Sequence, residues 1–303
     1  MSLAKKLLIF LAIVFTTALL IAVFIPKENL LLKFNKKEKI VIIKKTDTEI
    51  PEITAESALV YFISNDGNYQ ENLFEKNHKE PHLIASVTKL MTALIAEENI
   101  DKNKEILITS EVTKDGGSSF LFGAGEKWSY DSLLHLMLIQ SNNDAAEILA
   151  TTFGYKDFLD KMNGKAFEIG LNDTHFVNPS GLEEGIGNIG TANDLAKLIF
   201  YIKNNHPNIL EITLKDEYKA RDVLNVKSID ATSTDLLLKS SSFPFRILGG
   251  KTGETPKAKK NLILLTEAPN KKGYLVFVVL KSEENFTDMA KLAHWTIDSF
   301  QFN

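Results

Sequence analysis

The chain has 303 residues, a formal net charge of −4 and no cysteine. Its length accommodates one large two-lobed domain or two small ones. The weakly acidic balance gives no compositional argument for nucleic-acid binding, and the lack of cysteine excludes disulfides, a thiolate nucleophile and a Cys-ligated metal.

The N-terminus carries a membrane signal. Lys5 and Lys6 precede an apolar run over residues 7–25, in which two threonines are the only polar side chains, and Pro26 follows the run. A helix of this length spans the hydrocarbon core of a bilayer. The run is also longer than the apolar core of a typical cleaved signal peptide, and no clear cleavage site with small residues follows it.

We therefore expect residues 1–6 to be a cytoplasmic tail, residues 7–26 an uncleaved transmembrane signal anchor and residues 27–53 a juxtamembrane linker. A cleaved signal peptide, with a weak cleavage motif ending at Ala18, is the alternative. The linker is rich in lysine and glutamate, which is typical of a solvated surface or one that faces lipid headgroups. It contains one strand-like stretch, at residues 40–43.

From about residue 54 to residue 303 the pattern becomes that of a globular domain. Alternating or continuous apolar segments predict strands at residues 58–63, 70–75, 247–255, 261–266 and 274–280. Apolar residues at helical spacing predict helices from residue 86 onward and at residues 133–139, 143–150, 191–201 and 286–300. Early and late strands thus bracket a helical middle. This order predicts an α/β (α+β) fold, with one mostly antiparallel sheet, helices packed on it and a helical lobe.

Three short motifs follow one another along this domain, and the first pairs Ser86 with Lys89. Both side chains lie on one face of the predicted helix because they are three residues apart. Free backbone amides at a helix N-terminus favour an oxyanion. Lysine can serve as the base for serine only if burial and a second cation lower its pKa, and Lys251 is the candidate cation. A second Ser-x-x-Lys match, Ser2 with Lys5, lies in the N-terminal tail and is discarded.

The second motif places Ser141 and Asn143 at a turn between two predicted helices. A hydroxyl there can pass a proton to a leaving amine, although serine and asparagine are also common helix caps. The third motif, Lys251-Thr252-Gly253, lies on a predicted strand. Its lysine and threonine can hold a carboxylate, and its glycine permits the close approach of a ligand backbone. The alternative for this lysine is protection of an edge strand.

Four stretches around these motifs resemble serine-type D-alanyl-D-alanine carboxypeptidases, the low-molecular-mass penicillin-binding proteins of the β-lactamase-like superfamily. The stretches are residues 85–94, 140–146, 176–182 and 249–255. The resemblance runs from about residue 55 to residue 300. It implies the penicillin-binding-protein fold, in which helices flank a five-stranded antiparallel sheet and form an additional lobe.

The resemblance also implies a reaction. Ser86 would attack the carbonyl between the two D-alanines that end a peptidoglycan stem peptide, and Lys89 would take the proton of its hydroxyl. Ser141 would relay a proton to the departing D-alanine, and water would then release the acyl-enzyme. β-Lactam antibiotics would acylate the same serine.

Other residues of the three motifs would bind the substrate, and the resemblance implies neither a metal nor another cofactor. The substrate-binding residues would be Asn143, Lys251, Thr252 and Gly253, and the oxyanion hole would be formed by the backbone amides of Ser86 and Glu254. None of the six histidines stands in a catalytic-triad motif or in a metal-ligand cluster.

The chain departs from the family pattern at positions outside the three motif cores. Glu254 is acidic where the family more often carries an aromatic residue or threonine, and Ser180 stands where histidine is usual. Lys259 and Lys260 stand where glycine is common. These departures predict an altered substrate preference or rate.

Three other functions would use the same motifs. A D,D-endopeptidase would cut peptidoglycan crosslinks with the same residues. A class A-like β-lactamase would need a deacylating glutamate in the loop before the third motif; Glu184 and Asn188 have a loosely similar spacing, but the surrounding sequence does not resemble that loop. A non-catalytic penicillin-binding sensor would be acylated without turnover.

The orientation of the predicted anchor involves a conflict. Only Lys5 and Lys6 precede the apolar run, whereas many lysines follow it between residues 27 and 45. The positive-inside rule alone would place the domain in the cytoplasm, but long domains translocate largely regardless of charge. Because the implied substrate lies outside, we expect a single-pass protein of the bacterial cytoplasmic membrane with an extracytoplasmic catalytic domain.

Overall fold

The computed structural model describes residues 5, 40–45, 48–110, 121–183 and 185–303. The predicted anchor at residues 7–26 and Glu184 lie outside the described residues. None of the helices within the described ranges is long and apolar enough to cross a bilayer.

Short strands and helices alternate along the chain. The strands are β1 (Ile42–Lys44), β2 (Ser57–Ser64), β3 (Gln70–Lys76), β4 (His82–Leu83), β5 (Glu105–Leu107), β6 (Lys127–Ser129), β7 (Ile189–Gly190), β8 (Glu217–Arg221), β9 (Ser228–Thr232), β10 (Ile247–Thr255), β11 (Lys259–Glu267), β12 (Gly273–Ser282) and β13 (Phe300–Phe302). The helices are α1 (Lys89–Asn99), α2 (Tyr130–Ile139), α3 (Asn143–Phe153), α4 (Tyr155–Ile169), α5 (Ala192–Asn205), α6 (Pro207–Thr213) and α7 (Asn285–Ser299).

The central sheet has five strands in the order β10-β11-β12-β2-β3, and every neighbouring pair is antiparallel. The predicted five-stranded antiparallel sheet is therefore confirmed. β12 lies in the middle and is buried along most of its length, which explains its continuous apolar sequence. β10, which carries the third motif, is an edge strand, and its outer side is therefore open to a ligand.

Each face of the sheet has its own hydrophobic core, because successive side chains of a strand point to opposite faces. Along β11, Ile263 and Leu265 belong to the core formed with α1 to α6, which is the predicted helical lobe. Leu262 and Leu264 point to the other face and pack in the core that includes Met289 of α7. The lobe and the sheet therefore share one core, and the reactive helix α1 is held against the sheet.

The compact unit begins at Ile40, so it includes part of the segment predicted to be a linker. β1 pairs with the C-terminal strand β13. The buried carboxylate of Asp288 on α7 accepts hydrogen bonds from the backbone nitrogens of Thr54 (3.0 Å) and Ala55 (2.9 Å). The β1–β13 pairing thus extends the globular unit before the predicted start at residue 54, and the Asp288 contacts fasten residues 54 and 55 to α7.

Candidate active site

Ser86 lies on a tight turn between β4 and α1. The turn is a 3₁₀ helix, Ala85–Thr88, rather than the first turn of the α-helix that the sequence predicts. Ala85 has a φ of 47°, in the left-handed region that residues with a side chain rarely adopt. A Cβ added to Gly181 would lie 2.0 Å from the Ala85 carbonyl oxygen, so a glycine is required where the neighbouring loop passes this turn. The turn is therefore held in a strained conformation by its surroundings.

Lys89 is the first residue of α1, and its side chain is fully buried. Its Nζ lies 2.9 Å from Ser86 Oγ and 2.7 Å from Asn143 Oδ1, and it also contacts the carbonyl oxygen of Ser180. Burial, together with the nearby charge of Lys251, holds the pKa of Lys89 well below its usual range. A neutral amine beside the Ser86 hydroxyl can accept its proton.

In the second motif, one residue caps a helix and its two neighbours contact the lysines of the site. Asn142 caps α3, because its Oδ1 accepts a hydrogen bond from Ala145 N at 2.7 Å. Ser141 adopts a left-handed φ of 60° just before this cap. The capping interpretation therefore applies to Asn142. The side chain of Asn143 contacts Lys89, and that of Ser141 contacts Lys251.

Lys251 points from β10 into the site and is only 2% exposed. Its Nζ donates hydrogen bonds to Ser141 Oγ and to the Thr252 carbonyl, both at 3.0 Å. Burial lowers the pKa of Lys251 to about 7, and the charge of Asp235 opposes this fall. A lysine that protected an edge strand would extend into solvent, so this alternative does not fit Lys251.

Gly253 brings β10 against the Ser86 turn. A Cβ at this position would lie 3.0 Å from the backbone nitrogens of both Ser86 and Val87, and 2.7 Å from the carbonyl oxygen of Ile84. The glycine therefore permits close packing within the chain, in addition to the ligand approach predicted from the sequence. The side chain of the next residue, Glu254, is exposed.

The departure at Ser180 has a structural explanation. Lys89 contacts the backbone carbonyl of Ser180, which any residue at this position would provide. The Ser180 hydroxyl instead lies 3.4 Å from Asn178 Oδ1. Replacement of the usual histidine therefore leaves the contact with Lys89 in place.

Two buried asparagines, which the sequence did not single out for this role, fasten the loop between α4 and β7 to the Ser86 turn. Asn188 Nδ2 donates to Thr88 Oγ1 and to the Asn178 carbonyl, each at 2.9 Å, and its Oδ1 accepts from Val177 N at 2.7 Å. Asn178 Oδ1 accepts from Gly181 N at 2.7 Å. The side chain of Asn188 thus uses both its amide nitrogen and its oxygen to hold the loop, which does not favour the β-lactamase-like alternative.

Glu183 fastens the same loop to the turn between β10 and β11. Its Oε1 accepts hydrogen bonds from the Thr255 hydroxyl, from Lys257 N at 2.8 Å and from Ala258 N at 2.9 Å. One loop therefore contacts the base, the turn that carries Ser86 and the strand that carries the third motif. Because these partners are far apart in sequence, no motif spacing indicates their association.

Thr234 and Asp235 also lie beside the third motif. The hydroxyl oxygens of Thr234 and Thr252 are 2.6 Å apart. Asp235 is buried and caps a short 3₁₀ helix, Leu236–Lys239, by accepting a hydrogen bond from Leu237 N. Burial raises the pKa of Asp235 to about 6. These residues add a hydroxyl and a carboxylate to the site predicted from the sequence.

Replacement of Asp235 by asparagine should shift the pH dependence of kcat/KM for a substrate with a free carboxylate. Lys251 binds that carboxylate when protonated, so activity should fall as pH rises through its pKa. Loss of the Asp235 charge lowers the pKa of Lys251, and the alkaline limb should move to lower pH. Below about pH 6, where Asp235 itself becomes protonated, the two profiles should converge.

The control for this measurement is Asp230→Asn, which removes an exposed carboxylate paired with Lys219 on the β8–β9 hairpin. Its pH profile should match that of the wild type. Identical profiles for Asp235→Asn and the wild type would show that Asp235 does not influence Lys251.

The structure thus brings together all seven side chains or glycines of the predicted site on one edge of the sheet. A serine beside a buried lysine with a depressed pKa, with a second buried lysine nearby, is the arrangement expected of a serine hydrolase that uses lysine as its base. The sequence model of the family Peptidase_S11, described as D-alanyl-D-alanine carboxypeptidase, matches residues 44–284. The chain therefore belongs to this family of serine peptidases.

Known proteins support this assignment. The chain is 30% identical over 256 residues to a D-alanyl-D-alanine endopeptidase of Escherichia coli K12, an alignment that covers 82% of this chain and 79% of the relative. A crystal structure of a D-alanyl-D-alanine carboxypeptidase from Mycobacterium tuberculosis H37Rv is similar, with a TM-score of 0.73, 26% identity and coverage of 84% of this chain and 95% of the other. Penicillin-binding protein D2 of Listeria monocytogenes, in its ampicillin-bound form, has a TM-score of 0.67, 28% identity and coverage of 82% and 100%.

Proposed function

We propose that the chain is a serine-type D-Ala-D-Ala carboxypeptidase that removes the terminal D-alanine from peptidoglycan stem peptides. The observation that carries this proposal is the buried Lys89 amine, within hydrogen-bonding distance of both Ser86 Oγ and Asn143 Oδ1 and close to the charge of Lys251. This arrangement supplies a base for the nucleophile and a cation for the substrate carboxylate.

Acylation begins when Ser86 Oγ attacks the carbonyl carbon between the two D-alanines. The proton of the hydroxyl passes to Lys89 Nζ as the new C–O bond forms. The backbone amides of Ser86 and Glu254 stabilise the negative oxygen, and the Gly253 packing supports this role because it brings the strand against the Ser86 turn. The substrate lies beside β10 as an additional antiparallel or parallel strand.

Release of the leaving group requires a proton on its nitrogen. Ser141 supports this step because its hydroxyl accepts a hydrogen bond from the Lys251 amine at 3.0 Å and can pass a proton on. The proton that Lys89 took from Ser86 would be relayed through Ser141 to that nitrogen as the C–N bond breaks, so D-alanine leaves as the free amine and Lys89 is neutral again. Water then attacks the ester on Ser86 while Lys89 acts again as base, so the acid product and the free serine are restored.

The terminal carboxylate of the substrate would be held by Lys251 and Thr252, with the Thr234 hydroxyl as a further donor. These groups form one cluster, since Thr252 Oγ1 contacts both Thr234 Oγ1 at 2.6 Å and Lys251 Nζ at 3.4 Å. A protonated lysine beside hydroxyl donors is an appropriate site for a carboxylate. β-Lactams carry a carboxylate of their own, and covalent acylation of Ser86 by these antibiotics is part of the proposal.

A second activity, cleavage of peptidoglycan crosslinks, is favoured by one observation: the Escherichia coli relative is named an endopeptidase. The same side chains would carry out this reaction. The two activities differ in the leaving group, which is free D-alanine in one case and an amine on a second stem peptide in the other.

Full-length protein in detergent should release D-alanine from a soluble D-Ala-D-Ala stem peptide. Chromatography of muropeptides after digestion would separate loss of the terminal residue from conversion of crosslinked dimers to monomers. We expect the monomeric substrate to be consumed first, because its free terminal carboxylate fits the Lys251 cluster. Covalent penicillin labelling without either product would contradict an enzymatic function and favour a penicillin-binding sensor.

We also propose that residues 7–26 anchor the protein in the cytoplasmic membrane with the catalytic domain outside. The apolar length of this segment and the extracellular location of peptidoglycan support this orientation. Protease added to intact spheroplasts should digest the domain and leave a short membrane-bound fragment. Complete protection of the domain, with a periplasmic control protein digested and a cytoplasmic one intact, would reverse the orientation.

A further inference from the structure

A groove of about 370 Å³ lies away from the catalytic residues, between α5 and the part of the sheet formed by β2 and β3. β3 is the edge strand opposite β10. Two strands separate β2 from β10, so at a strand spacing of about 4.8 Å the groove lies on the order of 15 Å from the catalytic edge. It is a separate cavity of the same domain.

Aromatic rings form much of the wall of this groove. Tyr61 contributes from β2, and Phe200 and Tyr201 contribute from α5; all three side chains are partly exposed. The Tyr61 hydroxyl contacts Gln70 Oε1 on β3, which positions its ring. Partly exposed aromatic faces can bind the apolar face of a ligand and still leave polar groups accessible at the rim.

Side-chain amides surround these rings. The amide-bearing residues that line the groove are Gln70, Asn193, Asn204 and Asn205. The side chains of Asn193 and Asn204 make no hydrogen bond to any residue within the described ranges. Each therefore offers both a donor and an acceptor to a ligand.

The groove carries little net charge. Lys197 is the charged residue among the described side chains that line it, and its Nζ is bonded to Asp194 Oδ1 at 3.1 Å and to the Gly170 carbonyl at 2.8 Å. A ligand with a formal charge would find no unpaired counter-charge here. Aromatic faces bordered by neutral amides instead complement a molecule that has C–H faces and a rim of hydroxyl and amide groups.

We propose that this groove binds an uncharged N-acetylated saccharide, and that it anchors the enzyme to the glycan strands of its polymeric substrate. This inference rests on the proposed function, because the glycan is the polymer that carries the stem peptides. Binding at a second site raises the effective concentration of stem peptides at Ser86 without changing the chemistry there. The effect should therefore be confined to polymeric substrate.

The test uses a double variant, Asn193→Ala with Asn204→Ala, because neither side chain supports another described residue. Full-length protein would be incubated with purified peptidoglycan sacculi and, separately, with a soluble D-Ala-D-Ala peptide. We expect D-alanine release from sacculi and co-sedimentation with them to weaken on the order of tenfold, as for the loss of a few net hydrogen bonds. Release from the soluble peptide should stay within about twofold, because the variant leaves the catalytic contacts intact.

Asn103→Ala serves as the matched control, since Asn103 is an exposed asparagine before β5 and outside the groove. It should behave as the wild type on both substrates. Equal binding and activity of the double variant and the wild type on sacculi would overturn the proposal.

Direct titration with tetra-N-acetylchitotetraose measures saccharide binding by the groove independently of any activity on stem peptides. Wild-type protein should bind this saccharide more tightly than cellotetraose, which lacks the acetamido groups, and the double variant should lose the difference. If the wild-type protein releases D-alanine from soluble peptide but does not bind the saccharide, the proposed saccharide binding by the groove is wrong. The proposed function would still stand.

Discussion

Replacement of Ser86 by alanine is expected to abolish both covalent penicillin labelling and the release of D-alanine. The variant lacks Ser86 Oγ, the oxygen that lies 2.9 Å from the buried amine of Lys89 and that forms the ester in the proposed reaction. Fluorescent penicillin followed by gel electrophoresis would measure the label, and an enzymatic D-alanine assay would measure turnover. Lys89 keeps its contacts with Asn143 and Ser180 in this variant, so the fold should persist.

Ser242→Ala is the control for this change, because Ser242 is an exposed serine whose hydroxyl contacts only Ser240 among the described residues. It should label and turn over like the wild type. A melting temperature of Ser86→Ala close to that of the wild type would show that the loss is chemical. Persistent labelling, mapped by peptide mass spectrometry to another residue, would remove Ser86 as the nucleophile.

Replacement of Lys89 by methionine should slow acylation by on the order of 10²–10⁴-fold, the usual contribution of a positioned general base. Methionine fills much of the buried volume of the lysine stem but cannot take a proton. Lys89→Ala should be comparably damaging to acylation, with an additional cost in stability from the cavity. The rate of penicillin labelling, followed over time, is the measurement.

Lys79→Met is the matched control, since Lys79 is an exposed lysine before β4. Its labelling rate should equal that of the wild type. Raising the pH provides a second readout, because a base with a depressed pKa accelerates acylation only when neutral. Near wild-type labelling by both Lys89 variants would contradict the lysine-base mechanism.

Much of the fold could be predicted because its central elements carry strong local patterns. The continuous apolar sequence of β12 indicates a strand covered on both faces, and the structure confirms it as a central strand. The predicted bounds of β10, residues 247–255, agree with the structure. Thr191, where the sequence predicts a helix to begin, accepts a hydrogen bond from Asp194 N and caps α5.

Part of the site could be predicted for a similar reason. Ser86 and Lys89 lie three residues apart on one turn, so their contact follows from local geometry. The contact between Asn188 and Thr88 joins residues 100 positions apart, and no periodicity or spacing encodes it. The contact between Lys89 and the Ser180 carbonyl cannot be predicted from a motif either, because every residue has a backbone carbonyl oxygen.

The remaining differences between the predictions from sequence and the structure arise from tertiary contacts. The left-handed backbone of Ala85 and Ser141 is imposed by tertiary packing, since the intrinsic preference of both residues is for negative φ. For the same reason, Ala85–Thr88 forms a 3₁₀ turn where helical spacing predicts an α-helix. The pairing of β1 with β13 depends on the C-terminus, which lies far away in sequence, so the segment before residue 54 could not be assigned to the globular unit.

The loop between α4 and β7 offers a route to loss of activity that does not require unfolding of the hydrophobic cores. Through Asn188, Ser180 and Glu183, this loop holds the nucleophile turn, the base and the strand that binds substrate. Local opening of a loop costs less free energy than global unfolding. An opened loop would release all three parts together while the five-stranded sheet stayed folded. We therefore expect opening of this loop, rather than unfolding of the sheet, to limit the working lifetime of the enzyme at high temperature, so that a better-packed core alone would not extend it.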